Sequence, residues 1–390
     1  MRSPIRRAFG AVAGGAVVAA ATAAALGAFA APLAAQGSLS LQGFGYPGGQ
    51  LSTRALATGG ALADFDAQSP LNPAALALGQ RASVHLQYDP EFRSLSTPNG
   101  EARTTTARFP LFAVSGKLGR ATFGLAFSSF LDRSWVNTYA DTQVLNGERI
   151  PSALAASSKG GINDVRAAVS WSFSPKFHAG IGVHAFPGEN RLQIGRTFSD
   201  SSRLGAFDTV STVTYSGTAV SVGFMALPVP HVNVAGALRL GGTMQTRAGD
   251  STVLGQARVP RRWSASVAYD GIPGSAFSAR FASEKWTDMN GLGSATLPVF
   301  DATDFSVGGE IGGPKLAGLG TAIRAGWRTR QLPFGAPQGQ VREQSYSVGA
   351  GIPLAFGRTM LDVGAVHARR AAGSWTETGW ILSVGLSIRP

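Results

Sequence analysis

Cysteine is absent from all 390 residues. This excludes a disulfide-stapled scaffold, a thiolate metal site and a cysteine nucleophile. Charge is scarce too: 14% of residues are Asp, Glu, Lys or Arg, against about 25% in an ordinary soluble domain. Downstream of the first 35 residues no apolar run reaches the ~18 residues that a membrane-crossing helix needs. No Pro/Ser-rich linker or break in composition divides the chain into soluble domains. What the sequence does have in quantity is glycine, 51 residues, and a net charge of +12.

The N-terminus sets the compartment. Arg2, Arg6 and Arg7 form a basic stretch, Ala8 to Ala30 is rich in Ala, Gly and Val, and Leu33-Ala34-Ala35 offers small residues for cleavage before Gln36. This is the pattern of a secretory signal peptide, expected over residues 1–35. Removing those three arginines leaves +9, scattered along the chain and not clustered, so nucleic acid is not an expected partner.

Asp164 to Ala185 is the most informative stretch. Val165, Ala167, Val169, Trp171 and Phe173 alternate with Asp164, Arg166, Ser170 and Ser172. After Ser174-Pro175-Lys176 the alternation resumes, with Phe177, Ala179, Ile181 and Val183 opposing His178, Gly180, Gly182 and His184. A period of two marks β-strand. In a soluble sandwich the apolar face points inward; in a membrane barrel it meets lipid and the polar face meets a wet lumen.

Counting such alternations from Arg81 to Ile388 predicts fourteen strands, an even number, as bacterial outer-membrane barrels require. Connections alternate long and short. The short ones, such as Leu118-Gly119-Arg120 and Pro228-Val229-Pro230, carry turn residues and belong on the periplasmic side. Asp132 to Ile162 and Pro187 to Asp208 read as long irregular loops, with the strand-like piece Arg191 to Phe198 absorbed into the second. Trp171, Phe173, Phe177, Trp263, Tyr269, Trp327 and Trp380 fall on the outward phase, where interfacial aromatic girdles belong. The expected fold is all-β: a 14-stranded antiparallel transmembrane β-barrel over residues 81–390.

Residues 36–80 do not read as wall. A barrel of this circumference leaves a lumen that wall side chains do not fill, and folding the segment inside as a hatch (a plug) solves both problems. The stretch Arg54-Ala55-Leu56-Ala57-Thr58-Gly59-Gly60-Ala61-Leu62-Ala63-Asp64, then Asn72-Pro73-Ala74, resembles the FadL/TodX type of outer-membrane transporter and the related PorV-like barrels. Val259-Pro260, Ser266 to Tyr269 and Lys285-Trp286-Thr287-Asp288 extend the resemblance. The resemblance implies a fourteen-stranded barrel with an N-terminal hatch, and passive passage of a hydrophobic small molecule. On it, Gly59, Gly60, Asp64, Asn72, Pro73 and Ala74 become the candidate hatch and gating residues. By residue chemistry Asn72-Pro73 is a turn or helix-start device, Asn capping free N–H groups and Pro fixing φ.

Other motifs carry less. Gly43-x-Gly45-x-x-Gly48 matches a dinucleotide fingerprint in spacing only: no strand precedes it and Pro47 interrupts it. No Gly-x-Ser-x-Gly elbow occurs. His178 and His184 share the lumen face but lie roughly 20 Å apart along a strand, too far to chelate one metal, and neither His184 nor His367 has a serine and carboxylate at evident geometry. No cofactor, metal or enzymatic activity is expected. Asp164, Arg166, Arg239, Arg280, Glu284, Asp304, Glu310, Arg324 and Arg328 lie on the lumen phase. Their simplest role is to tie hatch to wall; Arg324 and Arg328 are the candidates for anchoring a ligand's anionic headgroup.

The function expected is passive uptake of hydrophobic small molecules, long-chain fatty acids or aromatic hydrocarbons, through a hatch-gated lumen in the bacterial outer membrane. The alternative is a non-transporting PorV-like barrel that serves protein secretion or surface assembly. Expected partners are the hydrophobic ligand, outer-membrane lipid and lipopolysaccharide, and the barrel-assembly machinery, around a monomer.

Overall fold

The computed structural model describes residues 39, 45–48, 50–79, 82–97, 100–145, 147–199, 204–292, 299–316, 318–336 and 339–389; the expected signal peptide lies outside them. Strands dominate: β1 (Ala82–Thr97), β2 (Gly100–Leu118), β3 (Ala121–Asp132), β4 (Trp135–Leu145), β5 (Glu148–Ser174), β6 (Phe177–Ala185), β7 (Gly188–Phe198), β8 (Phe207–Val229) and β9 (Val232–Ala248). Then follow β10 (Val253–Arg258), β11 (Arg261–Tyr269), β12 (Ala276–Lys285), β13 (Ala302–Leu316), β14 (Leu319–Ala336), β15 (Gly339–Leu354), β16 (Thr359–Ala372) and β17 (Trp375–Ile388).

All pairings are antiparallel, and the wall closes where β1 meets β17, Val84 opposite Ile388. Going round from β1, the order is β2, β3, β5, β6, β8, β9, then β11 through β17, a closed ring of fourteen. Closure removes the free sheet edges that hydrocarbon does not tolerate. The remaining segments prolong wall strands: β4 continues β3 along the first half of β5, β7 continues β6 between β5 and β8, and β10 precedes β11 along β9.

The two expected irregular loops are therefore corrected. Asp132 to Ile162 and Pro187 to Asp208 are mostly regular strand, extending the wall on the side opposite the chain ends. Their alternation is carried by small and polar residues, since neither face meets lipid, and Pro151 and Pro187 disguise it further. Backbone hydrogen bonds bridge the breaks: Arg133 N–H to Gly160 O at 3.0 Å, Asn163 N–H to Pro187 O at 2.9 Å, and Val259 N–H to Gly242 O at 3.0 Å.

Burial decides the facing. Trp171, Ile181 and Val183 are 47%, 60% and 59% exposed, while Asp164, Arg166 and Ser170 are buried. Large hydrophobics so exposed on a closed ring have one suitable solvent, lipid. Phe173 and Phe177 flank the Ser174–Lys176 turn with ring centroids 5.7 Å apart, a position suited to an interfacial girdle.

This orientation makes a prediction. Ile181→Arg puts a charge into hydrocarbon at about 2–4 kcal/mol near the midplane and should sharply lower the yield of folded, heat-modifiable barrel on gels. Ser172→Arg, on the lumen phase of the paired strand, should assemble like the parent. Equal assembly of the two variants would reverse the assignment of faces.

Candidate functional site

The hatch is a short helix and two tight turns. Ser52 caps helix α1 (Thr53–Ala57), its Oγ accepting from Ala55 N–H at 3.1 Å. The helix stops at Gly59 and Gly60, whose φ values of 68° and 91° lie in the left-handed region that only glycine adopts freely. The chain doubles back into a 3₁₀ turn, Ala63–Phe65. Asn72 then caps a second, Pro73–Leu78: its Oδ1 accepts from Ala74 N–H at 3.0 Å, and its Nδ2 donates to Asp64 O at 3.0 Å and to Phe224 O of β8 at 3.2 Å. Asn72 is thus a cap and also ties hatch to wall, and Pro73 and Ala74 are buried beside it.

The wall makes room by deleting side chains. A Cβ on Gly223 would sit 2.0 Å from Asn72 Oδ1, one on Gly180 2.6 Å from Pro73 C, and one on Gly326 2.1 Å from Thr58 C. Gly124, Gly308, Gly349 and Gly385 press in the same way on Leu76, Thr58, Ala57 and Thr53. Lumen-facing serines satisfy the hatch carbonyls: Ser170 donates to Ala74 O at 3.1 Å, Ser278 to Ala61 O at 2.8 Å and Ser347 to Ala57 O at 3.0 Å. Buried backbone acceptors need such partners in a segment with little secondary structure.

Asp64 is one of two buried acids in the hatch, beside Asp66. Its Oδ2 accepts from Ser266 Oγ of β11 at 2.7 Å and from Arg280 Nε of β12 at 3.1 Å. Burial raises the carboxyl pKa, but the guanidinium groups of Arg280 and Arg262, helped by the Ser266 and Ser264 hydroxyls, overcome it and hold the group below its ordinary value. A second ion pair, Arg54 Nε to Glu310 Oε2 at 3.0 Å, joins α1 to β13.

Above the hatch, arginines and acids alternate around the lumen. Arg370, on β16, donates to Glu343 at 2.6 Å, Glu377 at 2.6 Å and Glu91 at 2.9 Å. Arg108 links Glu91 and Asp132, each at 2.6 Å, and Arg262 reaches Glu284 at 3.1 Å. Tyr46, on the arm leading into the hatch, stands among Arg370, Arg330, Arg108 and Arg93, whose guanidinium carbons lie 4.8, 5.0, 5.3 and 5.7 Å from its ring centroid. Its hydroxyl donates to Glu343 at 3.1 Å and accepts from Arg330 and from Arg370.

Tyr46 also closes a seam. β2 pairs with β3 from Leu118 only as far as Leu111 opposite Ser128; the next residue, Pro110, has no N–H to continue the ladder. Beyond it the described β2 pairs with β1 and β4 pairs with β5. At this point Tyr46 forms a backbone bridge with Asp132, two bonds of 2.8 Å, and Arg108 spans the gap.

Beside this network, over the hatch on the extracellular side, the lumen also holds an apolar cluster. Phe130 stacks on Trp286 at 5.3 Å and meets Phe186 edge-on at 4.9 Å; Trp286 also meets Phe334 at 5.7 Å. Val259 and Trp286, in two of the stretches that carried the family resemblance, are fully buried in this cluster. Beneath it a cavity of about 70 Å³ is lined by Phe130, Trp286, Arg239, Arg280, Asp304 and Arg328, among others. On the periplasmic side of the hatch a larger one, about 470 Å³, is lined by hatch and wall together.

The structure places the candidate headgroup arginines in different compartments, each ion-paired. Arg328 borders the upper cavity and holds Asp304, Nε to Oδ1 at 2.9 Å; Arg324 borders the lower one and holds Glu310 at 3.1 Å and Asp362 at 2.6 Å. Sequence reasoning missed one constellation. His184 Nδ1 lies 2.8 Å from Asp164 Oδ1 and its Nε2 2.9 Å from Ser221 Oγ. The trio is buried, and Gln50 of the arm donates to Asp164 at 2.5 Å, so it works as a link between arm and wall. Of the glycine fingerprint, Gly43 lies outside the described residues; Gly45 and Gly48 pack against Asp132 and Ser129. Among the described residues no group of three or more metal-ligating side chains occurs.

A closed, lipid-facing ring with an internal hatch defines an outer-membrane β-barrel channel. The chain belongs to the Gram-negative porin family, whose model matches residues 20–385; it is an outer-membrane protein and a channel, not an enzyme. No curated protein matches it in sequence. Among solved structures it is similar to the CymD monoaromatic hydrocarbon channel, with 13% identity, a TM-score of 0.57, and 89% of this chain and 99% of that one covered. A FadL homologue from Pseudomonas aeruginosa gives 12%, 0.57, 87% and 98%. The toluene transporter TodX of Pseudomonas putida gives 14%, 0.54, 90% and 99%. The shared fold is that of the FadL/TodX type.

The seating of the hatch is testable. Gly326→Val should unseat the hatch while the barrel still inserts, so that limited proteolysis of purified protein cuts within residues 45–79. Gly320→Ala, with open space around it, should leave the hatch protected. Asp64→Asn strands Arg280, which retains only the more distant Asp304 at 3.5 Å, and should open the hatch at lower denaturant, breaking a buried pair at about 3–5 kcal/mol. Protease resistance equal to the parent in Gly326→Val would overturn the seating argument.

Proposed function

We propose that this protein carries hydrophobic small molecules, fatty acids or aromatic hydrocarbons, passively across the outer membrane through a hatch-gated lumen. The observation that supports this most is the aromatic cluster of Phe130, Phe186, Trp286 and Phe334 standing over the hatch. A channel for hydrophilic solutes has no use for an aromatic core packed inside its lumen, whereas a hydrophobic ligand that enters between these buried rings leaves water at roughly 25 cal/mol per Å² of its own apolar surface. Binding there concentrates the ligand, and movement of the hatch releases it. Gly59, Gly60, Asp64, Asn72, Pro73 and Ala74 are the proposed gating set: the glycines provide the hinge, and Asp64 and Asn72 the bonds that must break. Arg328, at the edge of the upper cavity, is the proposed headgroup anchor for ionised ligands, and Arg324 the corresponding group below the hatch. A monoaromatic hydrocarbon channel and a toluene transporter share this fold and lend support.

The test is uptake of radiolabelled toluene and oleate by a deletion strain with and without the gene. Complementation should raise the rate for at least one ligand, and Trp286→Ala should lower it with the barrel still folded. Identical rates for every ligand in both strains would end the transport reading.

A further inference from the structure

The outer face of β15, β16 and β17 has a sharp upper boundary. On β17 the outward residues Trp380, Leu382, Val384, Leu386 and Ile388 are all apolar. Eight residues of a tilted strand make about 20 Å, most of the height of a lipid-facing band. At its extracellular end Tyr346, His367 and Trp380 stand side by side, in register across three strands. Tyr346 and Trp380 are 64% and 53% exposed, and the His367 and Trp380 ring centroids lie 4.7 Å apart. Two residues above this aromatic shelf the outward face turns cationic. Arg369 is opposite Gln344 on one side and Thr378 on the other. Arg342 stands two residues beyond Gln344 on β15, and both arginines are exposed.

Nothing on this part of the wall neutralises the two cations. The acids of β15, β16 and β17 are Glu343, Asp362 and Glu377, and all three are buried on the lumen side. Those of β1, Asp89 and Glu91, are buried there too, and β14 has no acid. Elsewhere on the outer face Arg261 is paired with Asp288 at 3.0 Å. The diagonal across β15 and β16 puts the Cβ atoms of Arg342 and Arg369 ~7–8 Å apart, where like charges repel. An anion between them turns that repulsion into two charge-assisted, geometrically matched contacts. At this height the wall meets the headgroups of the outer leaflet, which in a Gram-negative outer membrane belong to a phosphorylated glycolipid. We propose that Arg342 and Arg369 bind a phosphate of lipopolysaccharide, whose acyl chains lie on the Tyr346–His367–Trp380 shelf. Gln344 and Thr329 on one side of Arg369, and Thr378 and Ser94 on the other, are in register with it and offer the headgroup sugar an amide and hydroxyls. The site lies outside the lumen and is independent of what passes through it.

The test uses the purified barrel in neutral detergent, with fluorescently labelled deep-rough lipopolysaccharide, its phosphates intact, as the probe. The parent should bind it saturably. Arg342→Gln combined with Arg369→Gln should lower the affinity about tenfold or more, the loss expected for hydrogen bonds to a charged group. Arg261→Gln, an outward arginine that already has its acid, is the control and should bind like the parent. Heat-modifiability on gels shows that each variant is folded, and glutamine at these exposed positions leaves the lumen untouched. Lipopolysaccharide stripped of phosphate by hydrofluoric acid should bind the parent no better than the intact lipid binds the double variant. Unchanged affinity in the double variant, or an equal loss in Arg261→Gln, would overturn the site. Equal binding of the dephosphorylated lipid would overturn the phosphate contact. Phosphatidylglycerol competing as well as unlabelled lipopolysaccharide would overturn the identity of the lipid.

Discussion

A ring of fourteen tilted strands encloses more space than its inward side chains can fill, and everything distinctive about this chain follows from that geometric surplus. An open lumen would be a water-filled hole in a barrier membrane. Filling it needs an inserted segment, and an inserted segment without long helices brings unpaired backbone groups into a buried place. The wall answers with two residue types on its inner face. Glycine lets the hatch backbone come within van der Waals range, and serine supplies a short hydroxyl to the carbonyls it presents.

Charge solves a related problem. Long arginines reach from a wide wall toward the centre, but each buried guanidinium loses hydration, at several kcal/mol, unless acids receive it. Around Tyr46 the acids Glu91, Glu343 and Glu377 interleave with Arg370, Arg330 and Arg108, so the network is dense and mutually supported. One aromatic ring at its centre offers a face to several cations without adding charge. The hatch arm is therefore fixed at the level where the β2–β3 ladder ends, beside the Arg370–Glu91–Glu343 network.

Much of this was legible in the sequence. The period of two set the strand count at fourteen because lipid-facing residues such as Ile181 and Val183 must be apolar at every second position. It failed for β4 and β7, where charged and amide residues such as Asp141, Gln143, Glu189, Arg191 and Arg196 fall among the apolar ones and neither phase is apolar throughout. The hatch motif was visible in Gly59-Gly60 and in Asn72-Pro73. The seat was not, although lumen-phase glycines on many strands, among them Gly180, Gly223, Gly326 and Gly349, were its signal. Read strand by strand they are merely small residues on the lumen phase; only closure brings them round one insert. The Asp164–His184–Ser221 link escaped for a similar reason, its members lying 20 and 37 residues apart on three strands.

The two faces of the hatch meet different chemistry, and on the proposed passive transport this asymmetry constrains how the channel works. A passive carrier of apolar molecules must bind well enough to extract them from water and weakly enough to let go. An aromatic collar alone would satisfy the first condition and obstruct the second. On the proposed function, the Asp64–Arg280 clasp sets a polar step beneath the aromatic cluster, so that a ligand's path is not one continuous apolar well. With the hatch seated, Asp64 is buried and its Oδ2 is held by both Ser266 and Arg280. On the proposed function, passage of a ligand depends on opening this small cluster, which sits where the hatch turn Ala63–Phe65 meets β9 and β11.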